Sequence, residues 1–482
     1  MGGQSTHNPQ LPPRASRAFS LGAVIARTKQ PEPKVLDLRP EALNRTIVYL
    51  ATPAVVENLL STLVYFVDAF LIGWLHDNAA MAAVGLSGTF MFIADGVLQA
   101  IAIGATAIVA RGWGEQDYER AKRAGAQAII LSVLVALLFT GLMIPFSDEF
   151  LVLMGAEPEV VRQGSLYINI LLATSVFSFP MMVSSGVMRG AGDTTRPMTI
   201  TLIMNVWNVI AAAVLVFGLG PIPSLRLTGA AIATSSARTI GGLLSLAFLW
   251  TGFTAIRIEP RHFLQWDWQI IGRIVRLGIP NIIETTVGRI GYILFMRIIS
   301  ELGTASLAAH QIAVRVESLS FMPGWGLAVA TATLMGQSLG AGQPDWAERS
   351  VRRTLLLSTL FMAATSLLYL FCSWPLVSIF GSTPEVLALA AVAVQVGALE
   401  QIPIGIQMTL AGAMRGAGDT RTPMWVTFFG VLFFRVAAVY LFAIGLGLGL
   451  AGVWLGTAAD WTGRAALMGV FYRRGRWKRV QV

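Results

Sequence analysis

The sequence is poor in charge, histidine and cysteine, and each shortage excludes a class of protein. Charged residues make up 13% of the chain, about half of what a soluble domain carries. The single cysteine, Cys372, rules out internal disulfides and metal sites built from several cysteines. It lies in an apolar block and is expected to be a packing residue. No P-loop, HExxH sequence or Ser/His/Asp arrangement is recognisable, so neither an ATP-driven pump nor an enzyme is expected.

Apolar residues take the place of charge, at 55% of the chain, and they come in long blocks. About 20 apolar residues cross a bilayer as a helix, because lipid offers the backbone no water to bond with. We therefore predict an all-α integral membrane protein with twelve transmembrane helices. The predicted spans are 46–74, 84–110, 125–145, 165–188, 198–218, 229–250, 276–300, 308–336, 354–376, 387–412, 424–446 and 451–471.

The chain also repeats itself at half its length. The phrase MRGAGDT occurs at 188–194 and again at 414–420, 226 residues later. Near the start of each half, a proline is followed four residues later by a glutamate, first Pro53 with Glu57 and then Pro280 with Glu284. An even number of spans per copy gives both copies one orientation. The repeat therefore predicts two six-helix bundles related by a pseudo-two-fold axis along the membrane normal, with Pro53 and Pro280 as helix hinges.

Charge placement gives the orientation. The two tails and the even-numbered connections hold 26 of the 35 Lys and Arg residues, whereas the odd-numbered connections hold only Arg162 and Arg226. This asymmetry predicts cytoplasmic termini in a multi-pass protein of the plasma or inner membrane, and it explains the net charge of +9 without nucleic acid. The predicted parts are a disordered cytoplasmic tail, an N-terminal bundle, a cytoplasmic linker, a C-terminal bundle and a basic cytoplasmic tail, at 1–45, 46–250, 251–273, 274–471 and 472–482.

The doubled phrase favours a tight cytoplasmic turn, with a gating role as the alternative. Gly190 and Gly192 permit the turn, and Asp193 or Thr194 can cap the next helix. This doubled turn on six-plus-six spans resembles the multidrug and toxic compound extrusion (MATE) family. The resemblance implies ion-coupled efflux by alternating access, without a cofactor other than H⁺ or Na⁺ as coupling ion. It also implies that a monomer in the lipid bilayer exports small organic cations and binds no nucleic acid.

Two rival functions are kept. A flippase for a lipid-linked saccharide or peptide would use arginines against a pyrophosphate, and the candidates for that role are Arg238, Arg289, Arg297 and Arg315. A membrane receptor or enzyme without transport activity is the second rival. The lack of a soluble domain weighs against it.

Charged residues inside spans are costly and mark functional sites. Glu57 and Asp68 are 11 residues apart, which returns them to within about 20° of one helix face. Two such carboxylates can bind a cation or carry a proton, and Asp68 resembles the first-helix acid that many MATE proteins use for coupling. Asn208 resembles the family's fifth-helix asparagine, although Ala212 replaces an acid found in some relatives. Three further polar residues complete the predicted cation site, namely Asn205, Asp95 and Gln99. For Asp95 and Gln99 the favoured alternative is a polar contact between helices.

The second half supplies secondary candidates, which are Glu284, Glu400 and Arg435. Some relatives carry a carboxylate late in the tenth span, where this chain has Ile404, so Glu400 is the candidate for a shifted substitute. Arg435 resembles an eleventh-helix arginine of the family, although Ala437 replaces the proline that usually follows it. The favoured alternative is that the three glutamates, Glu317 included, pair with Arg289, Arg297, Arg315 and Arg435. Asp460 and Arg464 are expected to form an ion pair, and His310 is expected to be hydrogen-bonded within the core.

Aromatic and methionine side chains suit an adaptable pocket for flat cations. The predicted lining residues are Tyr65, Tyr292, Phe295 and Met296, with Phe66, Phe90, Phe92, Met181 and Met182 as further candidates.

Overall fold

The structure is a computed structural model that describes residues 36, 39, 41–218 and 223–480, without the side chains at positions 65, 66, 68 and 69. Most of the predicted N-terminal tail lies outside the described residues, and so do the side chains of Asp68 and Tyr65. The described part consists of helices and short connections, with no β-strand. This is the outcome that long apolar blocks predict, since a helix satisfies its own backbone in lipid.

The helices form two sets that follow the same order along the chain. The first set is α1 (Leu43–Gly73), α2 (Asn78–Gly114), α3 (Tyr118–Met143), α4 (Ser147–Leu153), α5 (Pro158–Ala173), α6 (Ser175–Gly190), α7 (Thr195–Phe217) and α8 (Arg226–Thr251). A short helix, α9 (Pro260–Leu264), lies in the linker. The second set is α10 (Trp268–Glu301), α11 (Thr304–Gly340), α12 (Pro344–Ser378), α13 (Pro384–Gly416), α14 (Arg421–Phe429), α15 (Val436–Tyr440) and α16 (Gly449–Arg473).

Among the described residues, nine helical segments are long and apolar enough to cross a membrane, and the pair α5 and α6, bent by 62°, makes a tenth. One of the nine combines α14 and α15 with two π-helical segments, Gly430–Arg435 and Leu441–Gly445. The helices α10 and α16 are of similar length but carry several charged side chains. Together these segments account for the twelve predicted spans in their predicted order.

Prolines interrupt the helices unequally. The helices α1 and α10 run continuously through Pro53 and Pro280, so the hinge role of these two residues stays a prediction. By contrast, α12 kinks at Cys372, where φ is −118° and ψ is 22°. The kink lies three residues before Pro375. The proline ring clashes with the backbone carbonyl one turn earlier, and proline has no N–H to donate to that carbonyl. The partly buried Cys372 therefore lies at a break in its helix rather than within regular packing.

Two helices lie between the bundles. Helix α1 packs on α7 of its own bundle and on α11 of the other, and α10 correspondingly packs on α14 and on α2. The helices α2, α6, α11 and α13 all end on one side, which carries both MRGAGDT turns. We call it the turn side.

The bundles touch most closely on the turn side, where α2 meets α11. A Cβ atom added at Gly114 would overlap the backbone carbonyl of Gln337, and one added at Gly340 would overlap that of Arg111. Further from this side, hydrogen bonds between the bundles join Asn58 to Met322, and Arg289 to the carbonyl of Phe92. Asn58 lies near the middle of α1 and Phe92 lies in the half of α2 away from the turn side, so the contact between the bundles runs from the turn side past the middle of these helices.

Candidate functional site

A cavity of about 600 Å³ lies between the bundles and mainly against the first one. Its charged lining consists of Glu57, Asp95, Arg189, Arg238 and Arg415. Its apolar lining is dominated by aromatic and methionine side chains, namely Phe92, Phe179, Met181, Met182, Met204 and Trp325. A site of this kind can hold a flat apolar compound while a few charged groups orient it.

The charge near the turn side of the cavity is organised by an ion pair. Nη1 of Arg189 lies 3.1 Å from Oε1 and 3.0 Å from Oε2 of Glu57, and Glu57 is buried. Arg189 belongs to the first MRGAGDT phrase, and Glu57 follows the proline of α1. The prediction that Glu57 binds the coupling cation stays a prediction. In this structure the guanidinium holds both of its oxygens.

The second bundle repeats the pair at nearly the same sequence offset. Nη2 of Arg415 donates to Oε1 of Glu284 at 2.7 Å, and Thr427 donates to the same oxygen at 3.1 Å. In both bundles, therefore, the arginine of the repeated phrase binds the glutamate that follows the proline. Since Arg415 also lines the cavity, both copies of the phrase contribute to one site.

The repeated turns also cap the next helix, as predicted. Oδ1 of Asp193 accepts from the backbone N–H of Arg196 at 3.1 Å, and Asp419 accepts from Thr422 at 3.0 Å. The other oxygen of Asp193 accepts from the backbone N–H of Ala255, at 3.3 Å, and so ties the turn to the linker. Burial raises the pKa of Asp193, against the lowering effect of these donors.

Two of the predicted coupling residues lie buried between α7 and its neighbours. Asn205 donates to the carbonyl of Thr201 at 2.8 Å, and Asn208 donates to Thr234 at 3.1 Å. The Oδ1 atom of each asparagine has no hydrogen-bond partner among the described side chains and backbone. Neither residue lines the cavity, whereas Asp95 and Gln99 do.

The backbone brings position 68 to the same level as Asn208. Val64 on α1 packs with Met204 on α7 and Ala237 on α8. The two helices run in the same direction, so one further turn reaches Asp68 on α1 and Asn208 on α7. The side chain of Asp68 itself lies outside the described residues.

Of the aromatic and methionine residues predicted to line a pocket, Phe92, Met181 and Met182 line the cavity, whereas Tyr292, Phe295 and Met296 do not. Phe295 is buried in the core of the second bundle, and Met296 packs against that core. For these two residues the physical reason is that their part of α10 packs into its own bundle. Tyr292 is 48% exposed. Tyr65 lies outside the described side chains.

The expected neutralisation among the second-half glutamates and arginines is wrong about the partners. Glu284 binds Arg415, as described above, and Glu400 lies within hydrogen-bond reach of Glu317 and Thr457. Arg289 lies over the ring of Phe92, with 4.9 Å from its Cζ atom to the ring centroid. The side chain of Arg415, near the end of α13, reaches Glu284 on α10, and sequence separation gives no sign of that contact.

Asp460 forms the predicted ion pair with Arg464 and also binds Arg435. Nε of Arg464 donates to Oδ1 of Asp460 at 2.6 Å, while Nε of Arg435 donates to Oδ2 at 2.8 Å. Arg435 ends a π-helical segment of the eleventh span, and Gly430 in that segment leaves room for the Arg464 side chain. The secondary candidate Arg435 therefore belongs to a buried charge cluster of the second bundle.

The expectation that His310 is hydrogen-bonded is wrong. Both ring nitrogens lack a partner among the residues that the structure describes, although the side chain is buried. The imidazole instead packs against aromatic rings, with centroid distances of 5.3 Å to Phe295 and 5.7 Å to Trp454. Aromatic faces offer no acceptor of carbonyl strength, which explains the unmet bonds.

Trp325 and Arg415 line the cavity but were not identified as cavity residues from the sequence. Both come from the second bundle, whereas most of the lining comes from the first. For Arg415 a signal existed, since Glu57 and Glu284 recur at almost the same offset as Arg189 and Arg415. Trp325 gave no such signal.

Two stretches of the chain, residues 53–214 and 280–451, match the family model described as MatE. The chain belongs to the MatE family. The two matches fall on the two bundles, and the family resemblance stated from the repeated phrase is confirmed. As a MatE-family protein the chain is a multi-pass membrane transporter and not an enzyme.

Individual relatives agree with the family assignment. A protein of Thermotoga maritima described as a probable multidrug resistance protein NorM is 30% identical over 451 residues, which is 93% of this chain and 95% of the relative. A crystal structure of MATE in the bent conformation has a TM-score of 0.85 at 22% identity, covering 94% of this chain and 98% of that one. The outward-facing conformation of a multidrug resistance MATE family transporter has a TM-score of 0.84 at 22% identity, covering 94% of this chain and 100% of that one. These structures confirm the twelve-helix, two-bundle fold.

We expect the Glu57–Arg189 pair to show energetic coupling. Glu57→Gln and Arg189→Gln should each lower the Tm in detergent, because each leaves a charge without its partner. The double variant should lose less stability than the sum of the two single losses, with a coupling free energy of about 0.5–3 kcal/mol. The exposed Glu159–Arg162 pair, with side chains 49% and 76% exposed, is the control and should show almost none. Strictly additive losses at Glu57 and Arg189 would contradict the expectation.

Proposed function

We propose that this MatE-family transporter exports small organic compounds in exchange for H⁺ or Na⁺ by alternating access. The observation that carries the proposal is the cavity, lined in part by aromatic and methionine side chains, between two bundles whose backbones approach closely on the turn side. The Thermotoga maritima relative is described as a multidrug resistance protein, which agrees with a cavity whose lining is mostly apolar and adaptable.

We further propose that the turn side faces the cytoplasm of a cell with this protein in its plasma or inner membrane. The connections on that side hold most of the arginines and lysines, which is the distribution expected for cytoplasmic loops. On this orientation both termini are cytoplasmic, and the cavity is closed toward the cytoplasm. The cavity is built within one chain, which supports a functional monomer.

The proposed coupling site is the acid at position 68 together with the fifth-span asparagines. Asn205 and Asn208 each keep a buried Oδ1 without a partner in the described part of the chain, and position 68 lies at the level of Asn208. Carbonyl-type oxygens beside a carboxylate can coordinate Na⁺ or accept from a protonated acid. Binding of the ion changes the relative stability of the two access states, provided that its affinity differs between them.

The proposed substrates are organic cations. Because Arg189 already binds Glu57 and three arginines line the cavity, the ring faces and Asp95 would carry the recognition of a cation. Glu57 and Asp95 line the cavity, and Phe92 and Trp325 offer ring faces for cation–π contacts. The flippase alternative is not favoured. Of the four arginines considered for a pyrophosphate, only Arg238 lines the cavity, and Arg297 instead lies 4.0 Å from Glu301 on the protein surface.

The proposal is tested by efflux from proteoliposomes loaded with ethidium, under an imposed pH gradient or an imposed Na⁺ gradient. The parent protein should accelerate efflux under one of the two gradients. Asp68→Asn should remove the gradient dependence, because an amide neither releases a proton nor attracts a cation as a carboxylate does. Asp148→Asn, at an exposed site outside the spans, is the matched control. Gradient-driven efflux by Asp68→Asn equal to that of the parent would remove Asp68 from the mechanism.

A further inference from the structure

Two side chains of α11 hold the first MRGAGDT turn across the bundle interface. Nε2 of Gln337 donates to the carbonyl of Gly190 at 3.0 Å, and the Gln337 side chain is almost fully buried. One turn earlier on α11, Oγ1 of Thr333 donates to the carbonyl of Arg189, also at 3.0 Å. These carbonyls lie at the C-terminus of α6, where the last carbonyls of a helix have no partner within it.

Among the described residues, these two hydrogen bonds have no counterpart in the other half of the repeat. The helices α2 and α11 correspond at an offset of 226 residues, so the counterparts of Thr333 and Gln337 on α2 are Ala107 and Arg111. Ala107 has no side-chain donor, and Arg111 pairs with Glu115 of its own bundle at 3.4 Å. The first turn is thus held by the opposite bundle through a pair of donors that the repeat does not duplicate.

The same turn is connected to the cavity. Arg189, whose carbonyl receives the bond from Thr333, lines the cavity with its guanidinium and binds Glu57 there. The end of α6 is therefore held from both sides, by α1 of its own bundle and by α11 of the other. Separation of the bundles on the turn side must break the Gln337 and Thr333 bonds, whereas the Glu57–Arg189 pair can persist.

We propose that Gln337, assisted by Thr333, is a latch that stabilises the state closed on the turn side. The latch is a positioning element of the transport cycle and contacts no substrate. In the separated state, water can replace both bonds, so each contributes only the net value of a hydrogen bond. Loss of one such bond changes the ratio of closed to open molecules by about fivefold. The inference rests on the proposed alternating-access function, but its test measures conformation without substrate or gradient.

The test is a distance measurement by pulsed electron paramagnetic resonance in a Cys372→Ser background. Spin labels are attached through Gln116→Cys and Gln343→Cys, which lie on the exposed turn-side connections after α2 and α11. Gln337→Met keeps the side-chain length and removes the donor. It should increase the long-distance population about fivefold relative to the short one. Thr333→Val should shift the distribution in the same direction.

Two matched controls separate the latch from general loss of packing. Gln401 is a buried glutamine whose Nε2 donates to Gly397 within its own helix at 3.1 Å, and Thr106 donates to Gly186 within its own bundle at 2.8 Å. Gln401→Met and Thr106→Val should leave the distances unchanged. The proposal is overturned if Gln337→Met and Thr333→Val give the parental distribution, or if the controls shift it equally. If Gln337→Met does not fold, Thr333→Val against Thr106→Val decides. Failure of ethidium efflux leaves this result intact.

Discussion

Replacement of Asp460 by asparagine is expected to destabilise the protein by about 3–5 kcal/mol, the usual cost of removing one partner from a buried ion pair. Asp460 is fully buried and binds Arg464 and Arg435 at the same time. The asparagine keeps the size of the side chain and leaves two guanidiniums in a low-dielectric interior without the carboxylate between them. The measurement is the Tm in detergent of the purified variant.

The matched control is Glu301→Gln. Glu301 and Arg297 have the same spacing of four residues as Asp460 and Arg464, but their side chains are 55% and 81% exposed. An exposed pair contributes about 0–1 kcal/mol, so this variant should unfold close to the parental Tm. Arg435→Gln should have an intermediate effect, because Arg464 still neutralises the carboxylate. Equal Tm values for Asp460→Asn and Glu301→Gln would show that the cluster contributes little to stability.

Alanine at Gly340 is expected to prevent full closure of the turn side. The added Cβ would overlap the backbone carbonyl of Arg111, and rotation of a side chain cannot relieve contact with backbone. Overpacking of this kind costs about 1–3 kcal/mol, which shifts a two-state equilibrium by roughly 5- to 150-fold. Gly114→Ala, against the carbonyl of Gln337, should act in the same direction.

The spin-label distances on the turn side measure this effect, and proteoliposome efflux should fall because the cycle no longer reaches its closed state. Gly88→Ala is the control, since it lies on the same helix as Gly114 and a Cβ there meets no atom within 4 Å. A parental distance distribution in Gly340→Ala would mean that the helices slide apart locally without opening the bundles.

The parts of the fold that the sequence predicted are those with a strong local or repeated signal. A block of about 20 apolar residues has one stable form in lipid, so the twelve spans follow from composition. The repeated phrase predicted two bundles of the same orientation, and the glycines and aspartates in it predicted a capped turn. Asp460 and Arg464 were predicted as a pair because four residues of helix place them on one face.

The predictions failed where the rotation of a helix decides which neighbour a side chain meets. Phe295 and Met296 looked suited to a pocket, but their half of α10 packs into its own bundle. His310 was expected to find a hydrogen-bond partner, but aromatic rings surround it. Glu284 was grouped with Arg289, Arg297, Arg315 and Arg435, but it binds Arg415, which lies 131 residues away and 2.7 Å distant. Each outcome depends on helix rotation and neighbour choice, which an apolar membrane helix does not encode in its periodicity.

The sequence by itself determined the membrane environment, the number of helices, the duplication and the residue types available for coupling, because lipid permits few backbone arrangements. Only the tertiary structure decided which charges neutralise one another, which residues line the cavity, and which side of the molecule is closed. Those decisions depend on contacts between helices that are distant along the chain. At such contacts, the close approach of the backbones at Gly114 and Gly340 and the hydrogen bond of Gln337 decide the packing. The conformational preference of each separate helix does not.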